Sequence, residues 1–302
     1  MLHGVSLRVP SNTVAYLLGH NGCGKTTLLE ILGGVRAPQR GEVLLDGADI
    51  HALPSHRRAQ RVGLVPQLHT PVFAYTVREL ILMGRTPYLK LLGTPGRADY
   101  EVVDAAIEQV GLAHLRHRAY TELSGGERQL AMIARGLAQQ TDILLLDEPT
   151  AHLDPRNQRL VLETVVALAE RSVSFVISSH NPNSALLYAR QVIVMKGGRI
   201  VADGSPAEVL TEDTLTHAYD MPVEVIYSAD RVARAVMPRR SNGSTRATGA
   251  KAGAHIRPAG ANGTDGLLRW GRAGGGRIPA LDCPPRTWDN RARPSEFSLR
   301  SI

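Results

Sequence analysis

The chain has 302 residues, which is enough for one large domain or two small ones with a buried core. Its apolar fraction of 43% and charged fraction of 21% are those of an ordinary globular protein. No apolar run reaches the roughly 18 residues of a membrane-spanning helix. The first residues show no basic stretch followed by an apolar core and a small-residue cleavage site, so we do not expect secretion. The two cysteines, Cys23 and Cys283, cannot form a disulfide framework. We therefore expect a soluble, cytosolic chain.

The positive charge is concentrated at the C-terminal end. The whole chain has 35 basic and 28 acidic residues; residues 239–302 hold 12 and 4 of them, which leaves 23 and 24 in residues 1–238. The same segment holds 10 of the 29 glycines. Because such a composition buries too little apolar surface to offset its conformational entropy, we predict a disordered basic tail over 239–302. A basic arm for anionic lipid or nucleic acid is the less favoured alternative, and we expect no nucleic-acid partner.

Short apolar runs alternate with helical stretches in residues 1–238, which we interpret as one domain. The runs predict five strands, which are Val14–Leu18, Val62–Val65, Ile143–Leu146, Val173–Ile177 and Val192–Met195. Their nearly continuous hydrophobicity is typical of strands covered on both faces, as in a mostly parallel α/β sheet.

The stretch between the second and third of these strands has a different character. Prolines and glycines punctuate helical segments there, and the segment 99–110 places apolar residues, Val103 and Ile107 among them, on one stripe. Gly111 follows as a C-terminal cap. We predict a helical insertion over about residues 68–136.

A glycine-rich loop follows the first predicted strand. It reads Gly19, His20, Asn21, Gly22, Cys23, Gly24, Lys25 and Thr26, which matches GxxxxGK[ST] between a strand and a helix. Backbone N–H groups of such a loop converge on a phosphate, and the start of the helix adds partial positive charge. Lys25 would reach the β- and γ-phosphates, and the Thr26 hydroxyl would ligate Mg²⁺. The loop, with Thr27 following it, predicts binding of ATP or GTP with Mg²⁺.

Two adjacent carboxylates, Asp147 and Glu148, follow the strand Ile143–Leu146. Alternation along a strand sends their side chains in different directions. Asp147 is therefore expected to hold Mg²⁺, while Glu148 orients and deprotonates the attacking water. A solvated acidic turn is the alternative, and the nearby phosphate loop makes it the weaker one.

A second glycine-containing segment, Leu123–Gln129, opens a helix that runs to about Leu137. Ser124 and Glu127 have the spacing of a capping box, in which each side chain caps the other's backbone N–H. Capping does not explain Gly125 and Gly126, whose exposed backbone N–H groups suit a second anion contact.

Together these elements resemble the ATP-binding subunit of ABC transporters, in which the order is phosphate loop, glutamine, LSGGE-type signature, acidic strand end and histidine. Here the glutamine is Gln67 and the histidine is His180. The resemblance covers about residues 1–238. It implies an α/β P-loop NTPase-type core with a mostly parallel sheet, a helical insertion subdomain and antiparallel edge strands. It also implies ATP hydrolysis.

The resemblance further implies a head-to-tail dimer, in which Ser124 and Gly126 of one chain contact the γ-phosphate held by the other chain's loop, 19–26. Asp154 matches the aspartate of the family's dimer-crossing segment. His180 would contact the γ-phosphate. Gln67 would touch Mg²⁺ or the attacking water and report the nucleotide state to a membrane partner.

The family usually begins with an additional strand, whose aromatic residue stacks on adenine, about two dozen residues before the position of Met1. The segment 2–7 looks like the family's second strand. The resemblance thus predicts that the first strand is absent from this chain, which would affect nucleotide affinity and the sheet edge.

Four further segments resemble the importer branch for iron-siderophores, haem and cobalamin: Thr76–Leu80, Met83–Tyr88, Asn181–Asn183 and Gly198–Ala202. They imply permease partners, an indirect link to a substrate-binding protein and a peripheral location at the cytoplasmic side of the membrane. A molybdate or tungstate importer is a close alternative. A soluble ABC protein acting on ribosomes or DNA is another, although those normally carry two fused cassettes or a coiled-coil insertion. An exporter ATPase is the weakest alternative.

Overall fold

A computed structural model describes residues 2–67, 74–90, 93–171, 173–228, 233–239 and 297–300. The strands are β1 (Leu7–Val9), β2 (Val14–Leu18), β3 (Glu42–Leu45), β4 (Ala48–Asp49), β5 (Val62–Val65), β6 (Ile143–Asp147), β7 (Ser174–Ser179), β8 (Gln191–Lys196), β9 (Arg199–Gly204), β10 (Val223–Tyr227), β11 (Ala233–Pro238) and β12 (Phe297–Arg300). The α-helices are α1 (Lys25–Leu32), α2 (Ser55–Ala59), α3 (Val77–Leu82), α4 (Arg97–Gln109), α5 (Gly125–Ala138), α6 (Pro155–Ala169), α7 (Pro182–Tyr188), α8 (Pro206–Val209) and α9 (Glu212–Tyr219). Short 3₁₀ helices lie at Ile50–Ala52, Met83–Tyr88, Ala113–Leu115 and Tyr120–Glu122.

The largest sheet has the strand order β5-β6-β7-β2-β8-β9. Its strands run parallel from β5 to β8, and β9 pairs antiparallel at the edge. All five predicted strands are confirmed, two with the predicted bounds and three longer or shifted by one or two residues. The predicted α/β class, with a mostly parallel sheet and an antiparallel edge strand, is also confirmed.

Two apolar layers cover the two faces of this sheet. Alternation along β2 sends successive side chains to different layers. Tyr16 lies in the first apolar layer, which includes α4, α5 and α6, and Leu17 lies in the second apolar layer, which includes α1, β1 and β3. The strands β2, β6 and β7 are buried along their whole length. This burial on both faces is the reason that the sequences of β2 and β6 are apolar almost without interruption.

Helices occupy much of the described chain between β5 and β6. Helices α3, α4 and α5 pack on one another, and Val103 and Ile107 of α4 are fully buried, as the apolar stripe predicts. Helix α4 starts two residues before the predicted position because the Asp99 carboxylate accepts a hydrogen bond from the Gly96 N–H at 3.0 Å. Gly111 follows with φ 77°, the left-handed conformation expected after a helix.

The C-terminal end corrects the prediction of a disordered tail over 239–302. Strand β12 lies between β1 and β3 in an antiparallel sheet of order β1-β12-β3-β4. Phe297 and Leu299 are buried in the second apolar layer, whereas Arg300 is exposed and lies 3.4 Å from Glu42. Residues 240–296 and 301–302 lie outside the described residues, and for them the predicted disorder stays a prediction.

The physical reason for the error is the length of the pattern. Four residues that alternate apolar and polar are a short signal within a segment rich in glycine and arginine. The strands that bury them are distant in sequence, since Arg300 and Glu42 are 258 positions apart. A local composition argument does not detect such a pairing.

A third sheet pairs β10 with β11, antiparallel and with a register shift between Ile226 and Tyr227.

Among the helices of the described ranges, none combines the length with the apolar composition that crossing a bilayer requires.

The buried strand β12 generates a stability prediction. Phe297→Ala removes a fully buried aromatic side chain, so we expect the free energy of unfolding to fall by about 3–5 kcal/mol. Urea unfolding of the full chain measures the change. Ser298→Ala, one position along the same strand, is the matched control and should stay within about 0.5 kcal/mol of the original chain. Equal stability of the Phe297→Ala variant and the original chain would show that β12 is not part of the folded core.

Candidate active site

The predicted phosphate loop connects the end of β2 to the start of α1. Two of its glycines are required by the backbone. A Cβ on Gly19 would lie 2.5 Å from the Met195 carbonyl oxygen, and Gly24 has φ 109°, where side chains are strained. No side chain caps the first turn of α1 at Gly24, so its N–H groups remain available for an anion.

Lys25 is buried within the curve of this loop. Its Nζ donates hydrogen bonds to the carbonyl oxygens of Gly19, at 2.9 Å, and His20, at 3.2 Å. The same ammonium lies 3.5 Å from Glu148 Oε1. A positive charge and a row of backbone donors therefore lie at one place, which is the arrangement that fits a phosphate chain.

Three other side chains of this segment, those of His20, Cys23 and Thr27, differ in their surroundings. His20 Nδ1 lies 2.7 Å from the Asn21 carbonyl oxygen, within the loop itself. The Cys23 thiol is buried in the second apolar layer, and burial raises its pKa. Cys23 thus offers its backbone rather than its thiol to a ligand. Thr27 is half-buried in the first turn of α1.

Thr26 and Asp147 bring two oxygen donors together. The Thr26 hydroxyl donates to Asp147 Oδ2 at 2.9 Å, and the Ser178 hydroxyl donates to Asp147 Oδ1. Asp147 itself is buried, with 6% of its surface exposed. A hydroxyl and a carboxylate are the hard oxygen ligands that Mg²⁺ takes when phosphates supply others. These residues fit a nucleotide-bound magnesium ion.

Glu148 leaves the strand in a left-handed conformation, with φ 44°. Its backbone N–H donates to Ser178 Oγ at 2.8 Å, and its carboxylate lies between Lys25 and His180. The distance from Glu148 Oε2 to His180 Nδ1 is 3.1 Å. A backbone strained in this way is common at active sites, where neighbouring contacts hold it in place.

Gln67 is exposed just after β5 and lines a cavity of about 310 Å³. Glu148, Gly125 and residues 151–153 line the same cavity. The structure therefore brings Gln67, Glu148 and Gly125 to the lining of one space.

The predicted capping box at the start of α5 is confirmed. The Glu127 N–H donates to Ser124 Oγ at 3.4 Å, and the Ser124 N–H donates to Glu127 Oε2 at 2.7 Å. Hydrogen bonds from the Ser124 side chain and backbone lower the pKa of Glu127.

Gly126 is buried, contrary to the exposure expected of both glycines, and its lack of a side chain has a packing reason that the sequence did not show. A Cβ there would lie 2.6 Å from Asn157 Oδ1, so the glycine lets the start of α5 approach α6 closely. Within the described ranges, no hydrogen bond or ion pair joins residues 124–126 to the phosphate loop of the same chain. The two anion-suited segments remain separate in one copy.

Asp154 is the N-cap of α6. Its carboxylate accepts hydrogen bonds from the backbone N–H groups of Arg156 and Asn157, each at 3.0 Å, and from the Asn157 side chain at 2.6 Å. These bonds, that from the Asn157 backbone first, lower the pKa of Asp154. In this copy Asp154 stabilises a helix start and makes no described contact with residues 19–26.

Sequence reasoning missed Ser178, whose hydroxyl contacts both the Asp147 carboxylate and the Glu148 N–H. A signal was present, because two serines, Ser178 and Ser179, follow the apolar residues Phe175–Ile177 in this strand. Polar residues at the carboxyl end of a buried parallel strand often face a ligand.

A family model described as ABC transporter matches residues 2–151. The hemin import ATP-binding protein HmuV of Nocardia farcinica is 40% identical over 243 residues, covering 80% of this chain and 83% of the relative. The petrobactin import ATP-binding protein FpuC of Bacillus anthracis is 35% identical over 231 residues, covering 76% and 85%.

Among solved structures, one ABC transporter described as metal-chelate type, in an inward-facing conformation, is similar with a TM-score of 0.64. Its matching chain is 32% identical, and the match covers 75% of this chain and 84% of that one.

Proposed function

Because this chain belongs to the ABC transporter family, we propose that it is the ATP-hydrolysing subunit of an importer that takes up a metal chelate through a membrane permease. The chain is an ATPase of this family and binds nucleotide. The proposed cargo class is an iron-siderophore, haem or cobalamin. The observation that carries the proposal is the convergence of Lys25, Thr26, Asp147 and Glu148 at one end of the parallel sheet, in a chain 40% identical to a hemin import ATP-binding protein.

Each side chain at this sheet end has a proposed role. Lys25 holds the β- and γ-phosphates by charge, and residues 19–24 and 27 contribute backbone or side-chain donors. Bound to Thr26 and Asp147, Mg²⁺ would offset the negative charge of the phosphates. Glu148 accepts a proton from the attacking water, and its carboxylate is oriented by Lys25 on one side and His180 on the other.

His180 and Gln67 complete the proposed catalytic set. The exposed imidazole of His180 is free to reach a γ-phosphate while its Nδ1 stays beside Glu148. Gln67 shares a cavity with Glu148 and lies at the junction with the helical insertion, so a change at the nucleotide would move that junction. We propose that Gln67 either ligates Mg²⁺ or contacts the attacking water.

We propose that two copies bind ATP between them, head to tail. Supporting this, the start of α5 has exposed residues at 124 and 125 but no described partner in the loop of its own chain. In the dimer Ser124, Gly125 and Gly126 would face the partner's phosphates, and Asp154 would lie at the dimer crossing. ATP binding then closes the dimer, and hydrolysis reopens it.

We propose a peripheral location at the cytoplasmic side of the cell membrane, where the chain contacts permease subunits. A substrate-binding protein would deliver the cargo to the permease from the opposite side of the membrane. The names of the relatives favour a metal chelate over molybdate or tungstate, since those relatives import hemin and petrobactin. They also favour transport over a soluble ABC protein that acts on ribosomes or DNA. Cargo bound to the chain purified with its permease would test this choice directly.

The first prediction concerns the proposed base. Glu148→Gln keeps size and hydrogen bonding but cannot accept the proton, so we expect kcat for ATP to fall by on the order of 10²- to 10⁴-fold. ATP affinity should survive in this variant, whereas Lys25→Ala should weaken binding itself, because it removes the charge held against the phosphates. Steady-state ATPase rates and nucleotide titrations separate the two effects.

The matched control is Glu163→Gln, which neutralises an exposed carboxylate paired with Arg159 on α6. Its ATPase rate should equal that of the original chain. Near-normal hydrolysis by the Glu148→Gln variant would overturn the assignment of Glu148 as the base.

The second prediction concerns the composite site. Lys25→Ala and Ser124→Arg each damage both sites of their own dimer, but a mixed dimer contains one doubly damaged and one intact site. We therefore expect ATPase activity to return when the two variants are mixed. Blocking hydrolysis with Glu148→Gln should in addition make dimerisation depend on ATP, as sedimentation would show.

Ser124→Arg also removes a helix cap worth about 1 kcal/mol, and that effect needs its own control. Ser205→Arg removes the corresponding serine from the capping box of α8, away from the proposed site. The Ser205→Arg variant should be as active alone as the original chain. Mixed with Lys25→Ala, it should give the same ATPase activity as a mixture of the original chain with Lys25→Ala. Absence of rescue in the Lys25→Ala and Ser124→Arg mixture, with no dimer at any ATP concentration, would refute the composite site.

A further inference from the structure

The C-terminal end of α9 is fixed beside the central sheet. Lys196, the last residue of β8, donates from Nζ to the His217 carbonyl oxygen at 2.7 Å and to Asp220 Oδ1 at 2.6 Å. A cation at the C-terminus of a helix satisfies its free carbonyl groups and interacts favourably with its dipole. The last turn of α9 therefore has a defined position relative to β8, the neighbour of β2 in the sheet.

Tyr219 extends from this last turn towards the catalytic residues. Its ring packs against the first apolar layer, and its hydroxyl donates to the His180 carbonyl oxygen at 3.0 Å. Burial raises the pKa of Tyr219, and the nearby Cys23 and Glu148 raise it further. The hydroxyl thus remains a protonated donor throughout the range in which the protein would work.

His180 lies in a short connection between β7 and α7. The preceding residue, Ser179, is paired with Leu18 in the sheet, and its hydroxyl accepts from the Asn181 N–H at 3.0 Å. Asn181 in turn caps α7. The backbone is held on both sides of His180, while the imidazole is 52% exposed, and the hydrogen bond from Tyr219 restrains the carbonyl of His180 itself.

We propose that Tyr219 is a positioning residue for His180: its hydroxyl fixes the His180 peptide so that the imidazole stays beside Glu148. The inference rests on the proposed role of His180 in hydrolysis. The hydrogen bond from Tyr219 links α9 to the proposed catalytic centre. Within the described residues, no hydrogen bond joins α9 to the phosphate loop. Among the hydrogen bonds of the described residues, the Tyr219 hydroxyl has one to His180 and none to Glu148, so His180 is the hydrogen-bonded route by which its effect reaches the chemistry.

The test is Tyr219→Phe in the full chain, which keeps the ring in the apolar layer and removes only the donor. We expect kcat for ATP, measured well below the unfolding temperature, to fall by about three- to tenfold, the size of one lost hydrogen bond, with KM unchanged. Tyr227→Phe, which removes a half-exposed hydroxyl from β10, is the matched control and should leave kcat unaltered. A purely structural role for the Tyr219 hydroxyl would instead lower the unfolding temperature and leave kcat of the folded enzyme unaltered.

A double-mutant cycle identifies the route of the effect. In the His180→Ala background, Tyr219→Phe should cause no further loss of kcat, because the group that it positions is gone. Additive losses, or an unchanged kcat for Tyr219→Phe alone, would overturn the inference while leaving the proposed function intact. Normal hydrolysis by His180→Ala would instead overturn the role proposed for His180, and the positioning role of Tyr219 with it.

Discussion

The buried carboxylate of Asp147 is the contact on which the rest of the site depends. It accepts hydrogen bonds from Thr26 at the start of α1 and from Ser178 near the end of β7. Burying a carboxyl group with so little exposed surface is costly unless its oxygens have hydrogen-bond partners, so these bonds fix three elements relative to one another. Ser178 also receives the Glu148 N–H, which ties the proposed base to the same network.

Parallel register explains why these residues meet. Leu18 of β2 pairs with Ser179 of β7, and Asp147 of β6 pairs with Ser178, so the carboxyl ends of three adjacent strands are level. The loop after β2, the acidic pair after β6 and His180 after β7 therefore reach one edge of the sheet. The pairing of these buried strands brings the polar residues at their carboxyl ends to one edge of the sheet.

The parts that sequence predicts well are those that a local pattern determines. The apolar runs gave β2 and β5 their bounds, the spacing of Ser124 and Glu127 gave the capping box, and the phosphate loop has its motif within eight residues. Their physical causes, which are burial on both faces, helix capping and backbone convergence on a phosphate, act over a few residues. These features can therefore be predicted from a short stretch of sequence without knowledge of the tertiary fold.

The parts that sequence did not predict depend on distant partners. Strand β12 is defined by β1 and β3, and Gly126 by the approach of Asn157. Tyr219 belongs to a helix with ordinary composition, and only the tertiary fold brings its hydroxyl to His180, 39 positions away. Asp154 was not predicted as the cap of α6, and its role in a dimer requires a second chain.

The central claim is that Thr26 and Asp147 hold the magnesium ion of a bound nucleotide. The most direct measurement is the affinity for ATP with and without Mg²⁺, in the original chain, in Asp147→Asn and in Asp142→Asn, which changes a carboxylate paired with Arg61 just before β6. We predict that Mg²⁺ strengthens binding in the original chain and in Asp142→Asn, and that Asp147→Asn loses at least about tenfold of this gain. An equal response to Mg²⁺ in all three proteins would contradict the account.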